Sequence, residues 1–202
     1  RICLDREDIF KEQLRALYRS SVNKNIRILI PMISSLEEVR KTKLIIKEVI
    51  EECEKNDIPI DKNLKIGIMI EVPSASIMAE ELAKEVDFFS IGTNDLIQYL
   101  LAVDRGNELI SSLYKEFHPA VIRTIKIIAD AAHKNKIKIS VCGEMASNPL
   151  AVPVFIGLGV DELSVSPSKF PEIKQIIRSL HSKKAYRLCK EILKLSSEME
   201  IK

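Results

Sequence analysis

Short apolar runs rich in β-branched residues recur along the chain, separated by stretches with helical spacing of apolar positions. Arg1–Leu4, Ile26–Ile33, Lys65–Val72, Asp87–Gly92, Lys136–Cys142 and Glu162–Ser166 read as six strands. Phe10, Leu14 and Leu17 share one helix face, as do Leu36, Val39, Ile46, Val49, Ile50 and Cys53. Ser35 and Glu38 have the spacing of a capping box, and Pro119 suits the first turn of a helix that buries Val121, Ile125, Ile128, Ala129 and Ala132. A last, more polar helix is expected over about Ser182–Glu198.

Strand alternating with helix predicts parallel βα units. Ile66, Ile68, Met69 and Ile70 make their strand apolar on both faces, as a sheet covered on both sides requires. A doubly wound sheet and a barrel satisfy that equally. The polar residues favour the barrel: Glu71, the Asn94/Asp95 pair and Cys142 each close a strand at its carboxyl end, the rim where barrel sites gather. The expected fold is an α/β, TIM (β/α)8-type barrel with about six βα units present. Six strands are two short of eight, and the first reads as the middle of a strand, so residues 1–202 are expected to form one N-terminally truncated barrel domain.

With 46% hydrophobic and 30% charged residues, 202 residues bury a sizeable core and exclude a disordered chain. The formal net charge is +2, without a dense basic block, so no nucleic-acid partner is expected. Cys3, Cys53, Cys142 and Cys189 form no CxxC pair and no zinc-ligand spacing with the three histidines, which suits a reduced, cytoplasmic protein. No apolar run approaches the roughly 20 residues of a membrane span, and no signal-peptide pattern opens the chain.

The candidate chemistry lies at the rim. A carboxylate at the end of an apolar strand, as at Glu71, is costly unless paired or bound to a cation. Asp95 at a second strand end would join it as a hard oxygen ligand for Mg²⁺. Backbone N–H groups near Asn94, at a helix start, suit a phosphate or carboxylate, although Asn94 or Asp95 as a plain helix cap explains the same residues. Arg105, beside Gly106, is a candidate phosphate ligand or an ordinary solvent-facing side chain. Cys142 is either a small core residue or a thiol that exchanges a proton with a carbon centre. His118, His133 and His181 read as structural or surface residues.

Four runs carry a resemblance: Ile68-Met-Ile-Glu-Val-Pro73, Phe88-Phe-Ser-Ile-Gly-Thr-Asn-Asp-Leu96, Tyr99-Leu-Leu-Ala-Val-Asp-Arg-Gly-Asn107 and Val141-Cys-Gly-Glu144. They are similar to the phosphoenolpyruvate-utilising family, which contains enzyme I of the phosphotransferase system, pyruvate phosphate dikinase and phosphoenolpyruvate synthase. The Tyr99–Asn107 stretch resembles the enzyme I branch. The resemblance implies that Glu71 and Asp95 bind Mg²⁺, that Asn94, Asp95 and Arg105 hold phosphoenolpyruvate, and that Cys142 protonates the enolate carbon to release pyruvate. It further implies a homodimer and phosphoryl transfer to a histidine on a separate N-terminal domain, then to a histidine-containing phosphocarrier protein that feeds sugar uptake. The family's further phosphate-binding arginines fall before Arg1, so the chain alone is expected to transfer phosphate poorly or not at all. Two other readings remain: a dikinase or synthase fragment, and a non-catalytic dimerisation or metabolite-binding module.

Overall fold

The computed structural model describes residues 1–201. Helices α1 (Ile2–Asp5) and α2 (Glu7–Ser20) lead into strand β1 (Ile28–Ile30), helix α3 (Leu36–Lys55) and strand β2 (Ile66–Ile70). Helices α4 (Pro73–Ile77) and α5 (Ala79–Ala83) precede β3 (Phe88–Gly92), α6 (Thr93–Leu100), α7 (Pro119–Lys134) and β4 (Lys138–Cys142). The chain ends in α8 (Ala151–Leu158), β5 (Glu162–Leu163), α9 (Phe170–Ser179), α10 (Ser182–Ile192) and α11 (Glu198–Ile201).

The strands form one parallel sheet in the order β1-β2-β3-β4-β5, each beside its predecessor in sequence. Arg1–Leu4, expected as a strand, is instead the cap and first residues of α1, which corrects six strands to five among the described residues. Four residues are too few to separate a two-residue from a 3.6-residue period, and Ile2 at 74% exposed has no sheet to cover it. The last expected strand shortens to two residues, and the expected final helix divides into α10 and α11.

Ile68, Ile70, Phe89, Ile91, Ile139 and Val141 point to the helix layer and join one core with α7 and α8. The predicted face of α7 is wholly buried, with Pro119 in its first turn. A second core joins Phe10, Leu14 and Tyr18 of α2 to Ile45, Ile46, Val49 and Cys53 of α3 beneath Ile28. The capping box at α3 is complete: Ser35 Oγ accepts from the Glu38 N–H, and Glu38 Oε2 accepts from the Ser35 N–H.

The other face of the sheet is concave. Five flat strands would separate the β1 and β5 edges by about 19 Å, beyond the reach of two side chains. Yet Arg27 before β1 pairs with Glu162 of β5 at 3.3 Å, and its guanidinium lies 5.1 Å from the Phe88 ring centroid. The sheet therefore curls as an arc of a β/α barrel, enclosing a cavity of about 400 Å³ bordered by Leu29, Met69, Ser90, Ser140 and Cys142.

Candidate active site at the carboxyl rim of the sheet

Three adjacent strands deliver the rim groups. Glu71 follows β2, Asn94 and Asp95 lie in the first turn of α6 directly after β3, and Cys142 ends β4 opposite Gly92. Gly92 makes the convergence sterically feasible, since a Cβ there would stand 2.5 Å from Glu71 Oε2 and 2.8 Å from Met69 Sδ. Gly143, at φ +94°, takes the chain past α6, and a side chain there would strike Thr93 Oγ1 and Asn94 Oδ1. Thr93 Oγ1 donates to the Cys142 carbonyl at 2.7 Å, fastening the start of α6 to the end of β4.

Glu71 is only 3% exposed. Its Oε1 accepts from the Met32 N–H at 2.8 Å, and Met32 holds a left-handed conformation at φ +57°. That conformation costs a residue with a side chain about 1–3 kcal/mol, a strain found where surroundings fix the backbone for a purpose. Burial pushes the Glu71 carboxyl above its ordinary value; the Met32 N–H opposes this, and the neighbouring Asp95 carboxyl adds to it. Neither Glu71 nor Asp95 has an ion-pair partner among the described residues.

Cys142 Sγ lies 3.6 Å from Ser90 Oγ, which donates to it, and 3.5 Å from the Ile91 carbonyl, which accepts its proton. Burial pushes this thiol up as well, the Ser90 hydroxyl opposes, and the charges of Glu71 and Asp95 raise it further. The thiol is thus protonated at neutral pH, as an acid must be before it donates.

Asn94 does not cap α6; Gly92 occupies the cap position without a side-chain bond, and Asn94 Oδ1 accepts from the Glu144 N–H at 3.0 Å. Arg105 sits in the loop after α6, its backbone N–H donating to Gln98 Oε1 at 3.1 Å and its Nη1 lying 3.5 Å from Glu144 Oε1. With side chains 42% and 73% exposed, this pair is weakly held and leaves the guanidinium able to turn to a stronger anion. Glu71, Asp95 and Cys142 therefore lie together, and Arg105 is linked to them through Glu144 and Asn94.

Sequence reasoning did not single out Met32, Ser90, Tyr114 or Glu144 as site residues. Ser90 had a legible signal, a hydroxyl inside the apolar run Phe88–Ile91. The Tyr114 hydroxyl is buried without a hydrogen-bond partner among the described residues. Burial pushes this phenol up to about 12, with charges on Glu116, Arg105, Glu144 and Asp95 also acting on it. Met32 contributes backbone only, and side-chain chemistry could not reveal it.

A curled parallel βα sheet with carboxylates and a thiol at its carboxyl rim defines an enzyme-type α/β barrel domain. The comparisons agree. A citrate lyase from Burkholderia xenovorans LB400 superposes with a TM-score of 0.60 over 91% of this chain and 67% of its own, at 15% identity, a likeness of fold alone. Residues 1–182 match the family described as PEP-utilising enzyme, PEP-binding domain, and the chain belongs to that family. Phosphoenolpyruvate-protein phosphotransferases from Geobacillus stearothermophilus and from Buchnera aphidicola subsp. Schizaphis graminum are 42% and 46% identical over 201 residues. The alignments cover 100% of this chain and 35% of each relative.

Proposed function

We propose that residues 1–202 are the phosphoenolpyruvate-binding barrel portion of a longer phosphoenolpyruvate-protein phosphotransferase, an enzyme I that starts a sugar-uptake phosphorelay. The observation that carries the reading is the pair Glu71 and Asp95, one of them buried, side by side with no lysine or arginine paired to either among the described residues. Two carboxylates are the usual protein share of a magnesium site, with water and substrate oxygens completing the octahedron. The donor set therefore fits Mg²⁺, held by Glu71 and Asp95. When bound, the ion neutralises negative charge on the ligand as the phosphoryl group leaves.

The chain's own residues divide the remaining work. Asn94 and Asp95, at the start of α6, border the anion, and Arg105 releases Glu144 to hold the phosphoryl group. Cys142 supplies the proton that converts the enolate left behind into pyruvate. The phosphoryl acceptor is a histidine on a separate domain of the full-length protein, which passes it to a histidine-containing phosphocarrier protein. A cytoplasmic homodimer completes the reading. No helix among the described residues is long and apolar enough to cross a membrane. The relatives' names favour this branch over the dikinases and synthases.

Calorimetry of phosphoenolpyruvate binding with and without Mg²⁺ tests the site. This chain binds in a Mg²⁺-dependent manner and turns over poorly alone; Glu71→Ala loses the metal dependence. Unchanged metal dependence in Glu71→Ala removes the proposed ion site. Normal pyruvate formation by full-length protein carrying Cys142→Ala removes the proton-donor role.

A further inference from the structure

Cys142 has an unusual neighbour on the concave face of the sheet. Its register partner on β3 is Gly92, which offers no side chain, and the space above that glycine is filled by Glu71 and Met69. The side chain that does reach the sulfur belongs to Ser90, two residues earlier on the same face, 4% exposed and in register with Ser140. A buried hydroxyl needs a partner, and the hydrogen bond Ser90 Oγ makes among the described residues is its donation to Cys142 Sγ at 3.6 Å. The thiol proton meanwhile points to the Ile91 carbonyl at 3.5 Å. Sulfur is thus held from two sides, by one donor and one acceptor.

We propose that Ser90 is a positioning residue for Cys142, its hydroxyl fixing the sulfur at the rim and stabilising the thiolate that remains once the proton has been given up. This rests on the reading of Cys142 as the proton donor. In that step the S–H bond breaks and its electron pair stays on sulfur. The π pair of the enolate forms the new C–H bond, giving the methyl group of pyruvate, and the thiolate later takes a proton from water. A thiolate at this place is half-buried, with less water than a free thiolate has to solvate it, so a donor built into the sheet takes on that work. The Ser90 O–H is the side-chain donor that favours it, and a hydrogen bond to an ionised acceptor is stronger than one to a neutral acceptor. The bond therefore strengthens as the proton leaves, as differential stabilisation of the transition state requires.

Thiol reactivity tests the pairing without substrate, because only the thiolate is alkylated. Iodoacetamide at pH 8 is added to this chain, and modification of the Cys142 peptide is followed by mass spectrometry, with the partly exposed Cys3 as internal standard. Ser90→Ala slows alkylation of Cys142 relative to Cys3 by roughly three- to tenfold, while Ser90→Thr, which keeps the hydroxyl, stays within about twofold of the parent. The cavity of about 400 Å³ bordered by Ser90 accommodates the threonine methyl group. An unchanged or faster rate in Ser90→Ala overturns the proposal, as does a Ser90→Thr rate equal to that of Ser90→Ala. Because no phosphoenolpyruvate is involved, these outcomes are independent of the full-length Cys142→Ala test, whose failure would remove the proton-donor reading instead.

Discussion

The two ends of the sheet use the same kind of side chain in opposite ways. At the amino ends, Lys65 Nζ pairs with Asp87 Oδ1 at 2.8 Å while Asp87 Oδ2 accepts from the Ile66 N–H at 2.9 Å. The same clamp recurs two strands on, where Lys138 Nζ pairs with Asp161 Oδ1 at 2.9 Å and Asp161 Oδ2 accepts from the Ile139 N–H at 3.0 Å. At the carboxyl ends, Glu71 and Asp95 meet each other instead of a cation. Burial pushes Asp161 up, but the Ile139 N–H and Lys138 outweigh it and hold the carboxyl below its ordinary value. Burial pushes Glu71 up too, and there the neighbouring charge reinforces it. At one end each of these carboxylates is matched by a lysine and a backbone N–H; at the other a carboxylate faces a carboxylate.

The largest effect that would break this contrast is expected from Gly92→Ala. The new methyl must displace Glu71 or Met69, so unfolding free energy falls by about 1–3 kcal/mol and Mg²⁺-dependent ligand binding falls with it, read by thermal melts and calorimetry. Asp161→Asn is expected to cost about 1–2 kcal/mol at pH 7. Because the folded-state value of Asp161 is depressed, its contribution is present above the unfolded pKa and is lost as pH falls through the folded one, so parent and variant should converge in acid.

Glu71→Gln should act with the opposite sign. A raised folded-state value means that the ligand-free protein loses stability as pH rises through it, so removing the charge raises the midpoint at pH 7 by roughly 2–4 °C and abolishes stabilisation by Mg²⁺. A lowered midpoint would show that Glu71 is already satisfied. The smallest effect is expected from Tyr114→Phe: deleting a buried hydroxyl without a partner leaves the ligand-free midpoint unchanged within about 1 °C, whereas a drop of several degrees would reveal a partner.

Much of this was legible from residue spacing. The helix faces of α3 and α7, the capping box at Ser35 and the five observed strands follow from period and punctuation. The misread opening segment was too short for a period to show. At the site, Glu71, Asn94, Asp95 and Cys142 were visible because a polar residue closing an apolar strand contradicts its surroundings. The support around them was not. The Met32 N–H is a backbone group aimed by a left-handed torsion, and Ser90 meets Cys142 only because strand register brings them together. Arg105 was found as a residue, but its present engagement with Glu144 depends on loop geometry that spacing does not encode.

The strictly sequential strand order has a consequence for how the chain is made. Each strand from β2 onward docks against one already synthesised, and none must wait for a later segment to be inserted beside it. On a ribosome the sheet can therefore grow in the order of translation, and the rim is built in the same direction: Glu71 first, then Asn94 and Asp95, then Cys142. A pause after β3 would leave the carboxylates in place with β4, and so the thiol, still to come.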